Sequence, residues 1–223
     1  MREMPFCVCT CARLASVRKA REPRKQPAQE RSKALVASVV EAVSVLAEER
    51  GVHALTMSAL AQRAGVSVAS LYEYFPTKDA VLAAWAERVW ERALNAGFVA
   101  LERSVVQQRL PVDQGAASVL LAVNAELRPF ARAIAGVVMR TVVGRYERRE
   151  ELIETVRFLI LGVITGAPDA AVRVNSPETA ANLVAHILCS DGYLNFLATA
   201  SNAEDADTEV CALFRRYLRG DDA

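Results

Sequence analysis

Histidine occurs only twice in this chain, at His53 and His186, and glycine ten times in 223 residues. There is no glycine-rich phosphate loop and no Gly-x-Ser-x-Gly elbow, so neither a nucleotide cradle nor a Ser-His-Asp triad can be assembled from what is there. Catalysis is not expected. No run of about 18 uncharged apolar residues occurs, so no segment reads as a membrane-spanning helix. The N-terminal stretch is too weakly apolar for a secretory leader, and a cytoplasmic protein is expected. Five cysteines, an odd number, do not make a disulfide framework in a chain of this length. Three of them, Cys7, Cys9 and Cys11, form a C-x-C-x-C run, but no histidine or second cysteine pair follows at metal-finger spacing. Neither a metal nor a cofactor is expected. A dominant charge is missing as well, since 27 Lys and Arg face 26 Asp and Glu.

What is present is apolar mass: 52% of residues are hydrophobic and 24% charged, enough to bury one large core or a small domain joined to a larger one. The charge is also unevenly placed. Residues 1 to 35 carry nine Lys and Arg against three Glu, a net +6, which leaves the rest of the chain at −5. A basic arm ahead of a mildly acidic body suits a polyanionic partner. Residues 1–27, with Pro23 and Pro27 and no periodicity, read as a disordered arm.

From Gln29 onward the pattern is helical. Leu35, Val39, Val43 and Leu46 recur at three and four, and Gly51 stands where a glycine would stop the helix. Thr56 caps a short second helix. Gly65 turns the chain, Ser67 caps a third helix to about Tyr74, and Pro76 ends it. Thr77 caps a fourth, expected over 78–107. Further helices are predicted at 114–126, 129–143, 146–165 and, as one long uninterrupted helix, 177–200. Ser201 with Glu204 marks a capping box for a last helix to about Arg219. No stretch alternates as a strand would, so the fold class is all-α.

Two helices of about eight residues joined by a glycine turn are helix-turn-helix architecture. A reading helix must be short and small-sided to enter a groove about 12 Å wide, with another helix bracing it from behind. Leu71 and Phe75, four apart, can anchor it to the brace. That turns Ser67, Val68, Ala69, Ser70, Tyr72 and Tyr74 outward, and Thr56 and Lys78 open the neighbouring helices where backbone N–H groups favour phosphate. The thread "G…T…ALAQRAGVS…LYEYFPTKDAVL", within residues 40 to 82, closely resembles the TetR family of bacterial transcriptional regulators. The resemblance implies an N-terminal three-helix DNA-binding domain (28–76, after the arm) and a C-terminal helical domain (77–223) that binds a ligand and dimerises. It further implies a homodimer on a palindromic operator. Position by position it points to Thr56, Ser67, Val68, Ala69, Ser70, Tyr72, Tyr74 and Lys78 as the DNA-facing set. Val68 and Ala69 are apolar, so no long polar side chain is available there for bidentate base readout.

The C-terminal half offers less. "HILCSDGYLNFL" is similar to a dimerisation helix of that family, with Gly192 expected mid-helix, where it costs about 1 kcal/mol relative to alanine. Phe196, Leu213, Phe214 and Tyr217 complete the expected dimer interface. Asn182, His186, Cys189 and Tyr193 fall at helical spacing on one stripe, a candidate pocket lining for an apolar or aromatic effector. Trp90, Phe98, Arg140, Arg157 and Phe158 join them by family layout alone. The expected function is a ligand-responsive DNA-binding regulator, a repressor released by its effector. The rival readings are an interaction protein that kept the fold but lost DNA binding, and a helical small-molecule enzyme.

Overall fold

The computed structural model describes residues 30–137, 146–167, 174–200 and 202–219. The basic arm, Cys7, Cys9, Cys11, Arg140 and Ser201 lie outside the described residues. Among the described residues every regular element is a helix.

Helix α1 (Glu30–Arg50) buries Val39, Val43 and Leu46, spaced for one face, and ends at Gly51, whose φ of 74° a glycine adopts without strain. A single 3-10 turn, Val52–Ala54, leads to α2 (Met57–Ala64), capped by the Thr56 hydroxyl accepting the Ala59 N–H at 3.2 Å. Gly65 closes α2 in the left-handed region (φ 69°). Its N–H reaches Gln62 O and that of Val66 reaches Ala61 O, the paired bonds of a Schellman ending. Helix α3 (Val68–Tyr74) follows at once, with Ser67 Oγ accepting the Ser70 N–H at 3.0 Å. Leu71 and Phe75 are buried against the other two helices.

Helix α4 (Lys78–Leu101), capped by Thr77, carries Trp85 and Val89 into the interior and runs on as a π-helical segment, Glu102–Gln107. After Pro111 come α5 (Val112–Leu127), a 3-10 turn (Arg128–Phe130) and α6 (Ala131–Val137). Then follow α7 (Tyr146–Gly166), α8 (Pro177–Leu188), α9 (Asp191–Thr199) and α10 (Ala203–Arg219). Helices α4, α5 and α7 approach closely because glycines line their contacts. A Cβ on Gly97 would stand 2.8 Å from a Leu159 methyl and 2.9 Å from one of Val123. Val105, on the π-helical segment, seats against both Gly115 and Gly166, where a Cβ would come within 2.9 and 2.7 Å of its methyls. The wider helical turn is what delivers that side chain to the two gaps.

Two expectations need correction. The helix over 177–200 is two helices: Cys189 and Ser190 interrupt it, and Ser190 Oγ caps the second by accepting the Tyr193 N–H at 3.1 Å. Serine followed by aspartate is a strong start signal, and it overrides the apolar periodicity. Gly192 is therefore the second residue of α9, not a mid-helix position, and an added Cβ would meet nothing nearer than Ser190 Oγ at 3.6 Å. At the start of α10, Asn202 Oδ1 accepts the Glu204 N–H at 3.0 Å.

Candidate nucleic-acid interface

The exposed face of α3 is small and uncommitted. Val68, Ala69, Tyr72 and Glu73 all point to solvent, Tyr72 being 50% exposed, while Leu71 and Phe75 fix the helix from behind. Thr56 and Lys78 stand at the starts of α2 and α4 on either side, Thr56 exposed and Lys78 half-buried. Helices α2, α3 and α4 each start at a side-chain cap, and the unpaired N–H groups of such ends, with a lysine opening α4, favour phosphate oxygens. One residue is placed differently from the expectation. Tyr74 is not free to face outward: it is half-buried, and its hydroxyl shares a 2.9 Å hydrogen bond with Ser32 of α1. The position is on the side of α3 that turns back toward α1, so the phenol braces the reading helix. Ser67 is exposed, but its hydroxyl donates to Ser70 Oγ at 2.8 Å while capping the helix, which leaves Ser70 as the serine hydroxyl with a proton to offer.

Sequence reasoning missed Glu73, although it lies four residues from Ala69 and so on the same face. It also missed Ser44, whose buried hydroxyl accepts the Trp85 indole N–H at 2.9 Å and ties α4 to α1.

A second constellation lies far from this face in the sequence. Asn124 of α5 is 0% exposed. Its Oδ1 accepts the Tyr193 hydroxyl at 2.7 Å, and its Nδ2 donates to Asp207 Oδ1 at 2.8 Å. Arg128 Nη2 reaches the same oxygen at 2.6 Å. Burial pushes the Tyr193 phenol above its ordinary range, with the Asn124 hydrogen bond pulling the other way. Burial, and after it the Asp207 carboxylate, raises the Cys211 thiol. A lone asparagine in the apolar run "VLLAVNAEL" is the sequence signal that such a network existed.

Residues 39–85 match the family model described as bacterial regulatory proteins, tetR family, and that span takes in all of α2 and α3. That segment is of the TetR family. The chain's fold is shared with solved relatives. A TetR-family regulator from Pectobacterium atrosepticum is 15% identical with a TM-score of 0.60, over 86% of this chain and 96% of the other. One from Mesorhizobium loti is 16% identical at 0.58, over 85% and 97%. The TetR-family repressor AlkX of a Dietzia species, implicated in biodegradation of n-alkanes, is 21% identical at 0.50, over 82% and 96%. No curated protein matches the chain.

The described candidate pocket residues fall in different surroundings. Trp90 is 8% exposed and its Nε1–H has no hydrogen-bond partner among the described residues, while Phe98 and Phe158 are half-buried. Arg157 is turned along its own helix in a paired contact with Glu154 (Nη2 to Oε2 2.7 Å), which raises its pKa. Asn182 and His186 are exposed, with His186 Nδ1 against Asn182 O at 2.9 Å. They sit beside Leu183 and Ile187 on the outer face of α8, because the inner face is taken by Ala181, Val184, Ala185 and Leu188. They do not line an interior pocket. Tyr193 of the same expected stripe is buried, since the break at Ser190 resets the helical phase.

The expected dimer residues also divide. Gly192, Phe196, Leu213 and Tyr217 are exposed, Leu213 by 58%. Phe214 is turned into the chain's own core, because Val210, Phe214 and Leu218 form the buried stripe of α10, and Leu213 and Tyr217 form the exposed stripe beside it. No helix among the described residues is long and apolar enough to cross a membrane.

Proposed function

We propose that this DNA-binding regulator is a cytoplasmic, effector-released repressor acting as a homodimer on a palindromic operator. Residues 28–76 form the reading domain, 77–223 the effector and dimer domain, and 1–27 a basic arm. The observation that carries the reading is the outward face of α3. A capped seven-residue helix, anchored by Leu71 and Phe75, presents Val68, Ala69 and Tyr72 with Thr56, Ser70 and Lys78 around it. Apolar Val68 and Ala69 suit thymine methyls, and Tyr72, Ser70 and Lys78 suit phosphate oxygens. Two such heads would address half-sites one helical turn, or a multiple of it, apart.

Leu183, Ile187, Phe196, Leu213 and Tyr217 are exposed apolar side chains gathered on α8, α9 and α10, a surface suited to a second copy. For the effector, the buried and unpartnered Trp90 N–H supports a small, mainly apolar or aromatic molecule that offers one acceptor. The AlkX relative's link to n-alkane degradation agrees with an apolar class. Binding there would favour a state with wrongly spaced heads and so lower operator affinity.

The test is a gel-shift titration on the DNA flanking the protein's own gene, at several stated salt concentrations. A shift that weakens steeply with salt is expected. No shift even at low salt would refute the regulator reading and leave a helical interaction module.

A further inference from the structure

A series of contacts runs from the last helices to the reading head. Asp207 of α10 accepts from both Arg128 and the buried Asn124, and Asn124 in turn holds Tyr193 of α9. Two residues beyond Arg128, on the same 3-10 turn, Phe130 meets the Trp85 ring edge-on, with centroids 5.6 Å apart and planes at 88°. Trp85 then donates its indole N–H to Ser44 of α1, in a contact buried from solvent. Helix α1 braces α2 and, through Ser32 and Tyr74, α3.

We propose that the Arg128–Phe130 turn is the joint through which α9 and α10 set the position of the DNA-reading head, with Arg128, Phe130, Trp85 and Ser44 as positioning residues. This rests on the DNA-binding reading of the α3 face.

The physical reason is that neither end of the chain of contacts can yield gradually. Asn124 and Tyr193 have no water to turn to, so their hydrogen bonds break as a set or not at all. Any displacement of α10 therefore carries Asp207 and Arg128 with it. Phe130 is bound to Arg128 by a two-residue stretch that includes Pro129, which stiffens the turn. It either keeps its edge on Trp85 or leaves it, because aromatic pairs have a few preferred geometries separated by poor ones. Arg92 also places its guanidinium 5.8 Å from the Phe130 ring centre. If Phe130 leaves, Trp85 loses the contact that aims its N–H at Ser44. The sequence positions 44, 85, 128 and 207 are far apart, and only the tertiary packing makes them consecutive.

The experiment is a double-mutant cycle on operator affinity, because coupling between contacts shows as non-additivity and spatial adjacency alone does not demonstrate it. Asp207→Asn, Ser44→Ala and the double variant are compared with the parent protein, with sedimentation recording the dimer and circular dichroism the fold. In parallel, Trp85 emission is followed in a Trp90→Phe background, where it is the only tryptophan. Asp207→Asn is expected to lower operator affinity about fivefold. It should also move Trp85 emission, with the dimer and helix content intact. On the Ser44→Ala background the same change should cost no more than about twofold, because the joint is already open. Arg128→Gln should reproduce Asp207→Asn, and Arg128→Lys should restore most of the affinity.

Effects that simply multiply would overturn the proposal, as would Trp85 emission that ignores Asp207→Asn. If the parent protein itself gives no operator shift, the regulator reading falls on its own. The Trp85 emission then still decides whether α10 reaches the head.

Discussion

Glu73 is the side chain on the reading face that works against its partner. It is exposed on α3 next to Tyr72, near the end of the helix that would lie closest to the DNA backbone. A carboxylate there repels phosphates whatever the base sequence. Glu73→Gln should raise affinity for all DNA about three- to fivefold, and more at low salt than at high. A gain confined to one sequence, measured by competition titration, would instead make Glu73 a base reader. Tyr193 gives a second test at this scale. Burial raises its phenol above the ordinary value of 10.0, so the folded chain keeps a proton that the unfolded chain loses. That contribution to stability is whole below about pH 10 and is lost as pH rises from there through the folded value. Tyr193→Phe should cost about 1–3 kcal/mol at neutral pH by leaving Asn124 Oδ1 without its donor. Its melting temperature should then fall less steeply than that of the parent between about pH 9 and pH 11. Parallel melting curves would contradict the assignment.

At the scale of elements, the helix ends decide as much as the helix faces. Thr56, Ser67, Thr77, Ser176 and Ser190 each accept an N–H three residues on. Thr56, Ser67 and Thr77 are readable as hydroxyls ahead of an apolar period, whereas Ser190 stands inside one. Ser190 shows the limit of periodicity: "HILCSDGYLNFL" keeps its apolar spacing, yet the cap stops one helix and starts the next. Helix contacts were less legible. Gly97, Gly115 and Gly166 are scattered in sequence, and only packing shows that they admit Leu159, Val123 and Val105. Gly97→Ala should lower stability by about 1–3 kcal/mol in urea unfolding, because two methyls stand closer than 3 Å to the new carbon. An unchanged midpoint would mean α7 can slide away at no cost.

For the whole molecule, the exposed apolar side chains of α8, α9 and α10 and the buried polar network behind them form one assembly question. Leu213→Asp should weaken the homodimer about tenfold or more, because a carboxylate would be buried without a partner. Sedimentation that stays the same would remove α10 from the interface. The sequence by itself determined the class and the head: helical periodicity, the hydroxyl caps at Thr56, Ser67 and Thr77 and the 67–78 thread are local signals, set by residues within a few positions of one another. It also separated Leu71 and Phe75 from the outward residues, because a single helix fixes which side chains share a face. Only the tertiary structure decided where Tyr74, Phe214, Asn182 and His186 point, since each depends on which face of its helix a distant element covers. The same holds for the path from Asp207 to Ser44. Hydrogen bonds and ring contacts between residues more than forty positions apart leave no periodicity to read, and folding is what brings them within reach.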